Sequence, residues 1–206
     1  MGRHAIIWAA LVGLSLIFLT WHAPWKPALT PAEWRQMVQE RGGSASDMPP
    51  EFVAFFDSDD GKPFYMLNII DRAVNANYPD GFETQITEAD DARRAYGVGV
   101  LPELLKRGSY PVFSATQMTT VIASIPAETN RFEWVVIARY RSRRDLLEMS
   151  LSDGFRAAAV HKWASLDGTI VMPTARSLYL DLSLTVPLAL FALGIAVTRR
   201  RNQRGS

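Results

Sequence analysis

The chain contains no cysteine. Disulfides, thiolate nucleophiles and cysteine metal sites are therefore excluded, and the absence fits an oxidising compartment. Histidine is nearly as scarce: of three, His161 is the one in the middle of the sequence. There is no His-rich metal spacing, no Gly-rich phosphate loop and no nucleophile elbow. An excess of charge is missing too. The formal net charge is +1. Setting aside Arg3, Arg199, Arg200, Arg201 and Arg204 leaves 17 of the 22 Lys+Arg, and setting aside Asp181 leaves 20 of the 21 Asp+Glu. The middle of the chain is thus mildly acidic, about −3, without the basic footprint that nucleic-acid binding requires.

What the sequence does have is two apolar runs. "AIIWAALVGLSLIFLTW", residues 5–21, carries no charge and follows Arg3. It is slightly short for a hydrocarbon core of ~30 Å. A cleaved signal peptide is its rival reading, but "TWHAPW" fits the small-x-small cleavage rule poorly, so an uncleaved signal anchor is expected. "SLYLDLSLTVPLALFALGIAV", 177–197, has the length of a span and is followed by "TRRRNQR". By the positive-inside rule both ends are expected in the cytoplasm, with residues 26–176 outside, in the periplasm of a Gram-negative bacterium. Asp181 reads as an interfacial carboxylate near the outer end of the second span, and Pro187 as a kink.

Between the runs the pattern is mixed α and β. Thr30, Pro31 and Glu33 form a capping-box signature for a helix over 31–41, and "PEFVAFFDS" makes a second short helix. Strands are expected at 62–70, 110–123 with a bulge, 132–141 and 168–174. A helix over 87–108 is expected to start at Thr87 with Asp90 and to be weakened by Gly97, Gly99 and Pro102. Ser142 with Asp145 starts another, about 143–165, which Gly154 interrupts. "NYPDGF" is a turn inside the long loop 71–87. The order β-α-β-β-α-β is the split βαβ, or ferredoxin-like, pattern. It leaves one sheet face uncovered, and a second copy of the chain is its simplest partner.

Alternation sorts the strand side chains. Tyr65, Leu67 and Ile69 share one face of the first strand with Val135 and Ile137 of the third; these branched sets are expected under the helices. Phe64, Met66, Asn68 and Ile70, with Trp134, Val136, Ala138 and Tyr140, are expected to face the space between two sheets. There they form either a dry interface or an aromatic ligand cavity. "DSDDGK", 57–62, fails the calcium-loop pattern at its later positions and reads as a solvated turn. "RYRSRR", 139–144, reads as a solvated strand end, with contact to an anionic lipid or ligand as the alternative.

The segments "FYMLNII", "YPDG", "DARRAYGVGVLPELLKRG", "WVVIARYRSRRDLLEM" and "SDGFRAAAVHKWASLDGTIVMPT" occur in an order and spacing that resembles a domain-of-unknown-function family of the dimeric α/β-barrel superfamily. The resemblance covers roughly residues 60–175. It implies a ferredoxin-like domain whose sheet pairs with a second copy. The superfamily includes cofactor-free monooxygenases, isomerases, haem enzymes and pure ligand binders. Family members often carry polar residues matching Asn68, Tyr96 and His161, whereas "NIID" stands where a more basic or aromatic continuation is usual.

Asn68, Tyr96 and His161 are the catalytic candidates, and Met66, Asn68, Trp134 and Tyr140 the ligand-binding ones; no metal or cofactor is expected. Each has a plainer reading. His161 falls opposite the stripe Phe155, Ala159, Trp163 and Leu166 and has no acid or nucleophile spaced to form a triad, which favours a structural or surface role. A strand amide such as Asn68 ordinarily satisfies backbone, and Tyr96 is ordinarily a core aromatic. The expected architecture is α+β: a signal anchor or transmembrane helix (1–25), a helical extension (26–61), a ferredoxin-like dimeric α/β-barrel domain (62–176), a C-terminal transmembrane helix (177–198) and a basic tail (199–206). The expected function is a membrane-anchored homodimer that binds a small lipophilic ligand or serves assembly. The alternative is a cofactor-independent enzyme, monooxygenase- or isomerase-like, acting on a small lipophilic or aromatic carbonyl compound.

Overall fold

Thr30 and Glu33 do what their spacing predicts. The Thr30 hydroxyl accepts from the Glu33 backbone N–H at 3.3 Å, and the Glu33 carboxylate accepts from the Thr30 N–H at 2.8 Å. This computed structural model describes residues 3–119 and 132–177, with the isolated Ala192. The elements are α1 (Arg3–His22), α2 (Pro31–Glu40), α3 (Pro50–Asp57), β1 (Phe64–Arg72), α4 (Ala89–Leu105), β2 (Tyr110–Thr116), β3 (Trp134–Tyr140), α5 (Arg143–Ser150), α6 (Asp153–Ala164) and β4 (Leu166–Thr174).

The four strands form one antiparallel sheet in the order β2-β3-β1-β4. Each helical connection therefore returns to a strand one place beyond its neighbour, which is the ferredoxin-like topology. The bulge expected in the second strand lies between Pro111 and Phe113. Two helix boundaries differ from expectation. Glu88 caps α4, with no side-chain hydrogen bond, in place of Thr87. The chain also breaks at Leu151–Ser152, before Gly154. Ser152 then starts α6 as a fresh N-cap by accepting from the Phe155 N–H. Ser142 caps α5 through the Asp145 N–H, as predicted.

The core sits between this sheet and the helices. Leu29, Trp34, Val38 and Phe56 share one buried cluster with Phe64, Val100, Leu104, Ala138, Tyr140, Leu146, Leu147 and Met149. The helical segment before β1 thus contributes directly to the core. It also assigns the sheet faces, and the assignment reverses the expected one. Phe64 stacks on Tyr140 and meets Phe55 edge-on, each pair at 5.2 Å. The aromatic set therefore lies under the chain's own helices, not between two sheets. The opposite face carries Leu67, Ile69, Val135, Ile137, Phe113, Ile170 and Met172, in register across all four strands. Of these, Phe113, Ile170 and Met172 are exposed. The reason is complementary size. The helices turn small residues inward, Ala92 on α4 and Ala158 and Ala164 on α6, and the large side chains come from the sheet. A Cβ on Gly99 of α4 would lie 2.7 Å from the Ala158 Cβ, so the glycine sets how closely the two helices approach.

Glu103 of α4 ties that helix to the α5–α6 junction. Its buried carboxylate accepts from Lys106 at 2.6 Å, Arg107 at 2.8 Å and the Ser152 hydroxyl at 3.0 Å. The lysine and arginine hold its pKa down to about 2. A depressed carboxylate stabilises the fold above its unfolded value and loses that contribution as pH falls through the folded one. The window here runs from the ordinary 4.5 down to about 2. Thermal midpoints measured against pH are expected to fall across that window in the wild type, and less steeply in Glu103→Gln.

The arginines of 139–144 are neither solvated nor free for an anion. Arg139 and Arg141 donate to the carbonyls of His22 and Trp21, at 3.0 and 3.2 Å. They thus satisfy orphan acceptors at the C-terminus of α1, where cations are favoured. Arg143 donates to the Phe55 carbonyl at 2.6 Å, and Arg144 to those of Pro27 and Ala28 at 2.9 and 3.1 Å. The Trp21 indole N–H donates to the Leu105 carbonyl at 2.6 Å, and its ring stacks on Tyr110. "DSDDGK" is likewise structural: Asp57 accepts from Arg35 and the Trp34 indole, and the fully buried Asp59 carboxylate accepts from the Leu29 N–H.

Among the described residues no helix is long and apolar enough to cross a membrane. In α1, Leu11, Val12, Leu14, Leu16, Ile17, Phe18 and Leu19 are all exposed. Steps of ~100° per residue distribute them round the whole helix. The second unit of the chain, Arg176–Ser206, lies almost entirely outside the described residues, and with it the expected second span, Asp181, Pro187 and the basic tail.

Candidate functional site

Asn68 points from the middle of β1 toward α6, where Lys162 meets it. The Lys162 ammonium donates to the Asn68 Oδ1 at 3.3 Å. Asn68 uses its own Nδ2 on the carbonyls of Met66 and Val136, at 3.2 and 3.4 Å. Those two backbone acceptors fix the amide orientation and leave its oxygen for the lysine. Tyr96 of α4 closes another side: the ammonium lies 5.9 Å from its ring centroid and 5.2 Å from that of Trp163, within cation–π range.

Charge around this group is one-sided. Burial pushes the Lys162 ammonium below its ordinary pKa and the Tyr96 hydroxyl up to about 12. Tyr140 is raised as well, by burial and then by the neighbouring Tyr96. Both phenols therefore stay protonated at neutral pH. No carboxylate pairs with Lys162 among the described residues. Burying an ammonium without an anion is costly, so the arrangement favours either a bound group that supplies an acceptor or a neutral amine.

His161, one residue earlier and ~100° round the same helix, is engaged elsewhere. Its Nδ1 shares a 2.7 Å hydrogen bond with the Tyr78 hydroxyl, and its ring meets Tyr78 and Phe82 edge-on at 5.6 and 5.9 Å. Tyr78 and Phe82 stack on each other at 5.0 Å across the "YPDGF" turn, where Gly81 takes φ +81°. The histidine thereby fastens the long loop, which is also held by Asn77 N–H to Ala164 O and Ala73 N–H to Ser165 O, at 2.8 and 3.2 Å. Trp163, expected on the buried stripe, is exposed. The inward side of α6 carries Phe155, Ala158 and Lys162, and the buried C-cap Ser165 follows them.

The structure thus brings Asn68 and Tyr96 together about Lys162 and places His161 outside that group. Met66 packs against the core cluster and Tyr140 is buried in it. Trp134 lies at the other end of β3, six residues or ~20 Å of strand from Tyr140. There its indole donates to the Ser114 hydroxyl at 2.8 Å and its ring carries the Arg93 guanidinium. One small ligand cannot contact all four. Sequence reasoning missed Lys162, although its spacing from Phe155 and Ala158 puts it on the inward side.

The fold belongs to the ferredoxin-like class. No protein-family model matches the chain, and no curated protein does. Among solved structures it is similar to a Rhodopseudomonas palustris protein of unknown function, RPA0582, with 25% identity and a TM-score of 0.53 over 65% of this chain and 97% of that one. A methylated form of RPA0582 gives 26% identity and a TM-score of 0.54 over 66% and 96%.

Proposed function

We propose that this protein is a membrane-tethered homodimer that holds a small, lipophilic ligand bearing an anionic or carbonyl oxygen at the Asn68–Tyr96–Lys162 cluster. The observation that carries the reading is Lys162 itself, a half-buried cation between an amide oxygen and two rings with no carboxylate partner among the described residues. A ligand oxygen would supply the missing acceptor, and Tyr96 and Trp163 would flank its apolar part.

The tether is supported by α1, whose apolar side chains Leu11, Val12, Leu14, Leu16, Ile17, Phe18 and Leu19 are exposed around its axis, as on a lipid-facing helix. Arg3 before the first apolar run and Arg199, Arg200, Arg201 and Arg204 after the last support cytoplasmic termini and an extracytoplasmic domain on a bacterial inner membrane. Dimerisation is supported by the apolar row Phe113, Ile137, Leu67 and Met172 on the open sheet face. A second reading, a cofactor-independent enzyme on a lipophilic or aromatic carbonyl compound, draws on the same lysine, since a desolvated amine is a base or nucleophile.

A thermal-shift panel of aromatic carboxylates, aldehydes and ketones against the full-length protein in detergent tests the site. At least one compound is expected to raise the midpoint of the wild type and to lose about tenfold or more in affinity on Lys162→Met, the scale of one charge-assisted hydrogen bond. Equal response from both proteins sinks the assignment. Light scattering in the same detergent is expected to give a dimer, and a monomer for Met172→Lys.

A further inference from the structure

The geometry points to Lys162 as a carbonyl-reactive amine: its Nζ condenses with an aldehyde or ketone of the bound ligand to form an imine. This rests on the reading of the Asn68–Tyr96–Lys162 cluster as a ligand site and names its reactive class. The chain has four lysines, Lys26, Lys62, Lys106 and Lys162. Three are ion-paired with carboxylates: Lys26 with Glu148 at 2.5 Å, Lys62 with Asp60 at 3.0 Å and Lys106 with Glu103 at 2.6 Å. Lys162 alone has no such partner among the described residues. The groups that face it are a neutral amide from β1, the Tyr96 ring from α4 and the ring of its own neighbour Trp163. The titratable neighbour on its own helix, His161, is occupied by Tyr78.

These surroundings favour the neutral amine, whose lone pair is the nucleophile. The pair adds to the carbonyl carbon while the C=O π electrons move to oxygen. A proton passes from nitrogen to that oxygen through water, giving a carbinolamine. The nitrogen lone pair then expels the hydroxyl, which takes up a proton from solvent and leaves as water, and a protonated C=N bond remains. One water is released and nothing is oxidised or reduced. The Asn68 Oδ1, already directed at Nζ, accepts the iminium N–H, and the two rings flank an aryl or alkyl substituent.

The test uses full-length protein in detergent at neutral pH with benzaldehyde and sodium cyanoborohydride, read by intact mass and peptide mapping. Wild type is expected to gain one adduct of the probe's mass less one oxygen, on Lys162 before Lys26, Lys62 or Lys106. Lys162→Arg, which keeps a cation and a long stem, is expected to lose that adduct while retaining the wild-type circular dichroism. Labelling spread evenly over the four lysines, or no labelling, overturns the imine. Benzoate, which cannot condense, separates the two readings. A rise in the wild-type midpoint with benzoate but no trapped adduct overturns only the imine; no response to either compound overturns the ligand site as well.

Discussion

Replacing Asp145 with alanine is expected to lower the unfolding free energy by about 3–5 kcal/mol, the cost of stranding one member of a buried ion pair. Asp145 is 1% exposed. Its two oxygens take a fork from Arg141, Nε at 2.8 Å and Nη2 at 2.5 Å, and a third bond from the Ser142 hydroxyl at 2.7 Å. Alanine leaves Arg141, itself 5% exposed, with no carboxylate partner among the described residues. It also loosens the cap of α5 and frees a guanidinium that otherwise sits on the Trp21 carbonyl. Urea titration by circular dichroism should move the midpoint down with little change in slope. The double variant Arg141→Met/Asp145→Leu should recover part of the loss, because it removes both charges together. A midpoint within error of wild type in the single variant would mean that this pair does not hold the junction between β3 and α5.

Trp34→Ala is expected to cost about 3–5 kcal/mol, as deletion of a large buried aromatic does. Trp34 is 0% exposed. Its ring packs 5.9 Å from Phe56, and its indole N–H donates to Asp57 at 2.8 Å. The variant asks whether α2 and α3 belong to the folding unit of the sheet. If they do, denaturation stays a single transition and shifts as a whole. If they form a separate appendage, β-sheet signal and tryptophan environment melt apart. Trp34→Phe, which keeps most of the buried area, should cost much less.

Much of the fold was legible because its signals are local. The capping box at Thr30 and Glu33, the N-cap at Ser142 and the strands around "FYMLNII" and "WVVIARY" depend on neighbours within a few residues, and the structure has each of them. The errors share a cause. Alternation along β1 separates Phe64, Met66 and Asn68 from Tyr65, Leu67 and Ile69, but does not say which set the helices cover. That depends on the small inward residues of α4 and α6, distant in sequence. Trp163 misled for the same reason: by helical phase it shares a stripe with Phe155, Ala159 and Leu166, yet it is exposed while Ala158 and Ala164 are buried. The arginines of 139–144 looked like a surface cluster because, apart from the Arg141–Asp145 pair, most of their partners are backbone carbonyls distant in sequence, among them those of residues 21, 22, 27, 28, 55 and 108, which carry no sequence signature.

By itself the sequence determined the element order and hence the ferredoxin-like topology, since propensity, capping and hydrophobic period are properties of short segments. It also singled out Asn68 and Tyr96. Only the tertiary structure decided that Lys162, not His161, completes their group, and that His161 fastens the long loop through Tyr78. The two side chains are consecutive on one helix. Which of them meets the sheet is settled by a rotation of about 100°, and Ala158, packed closely against Gly99 of α4, lies on the inward side.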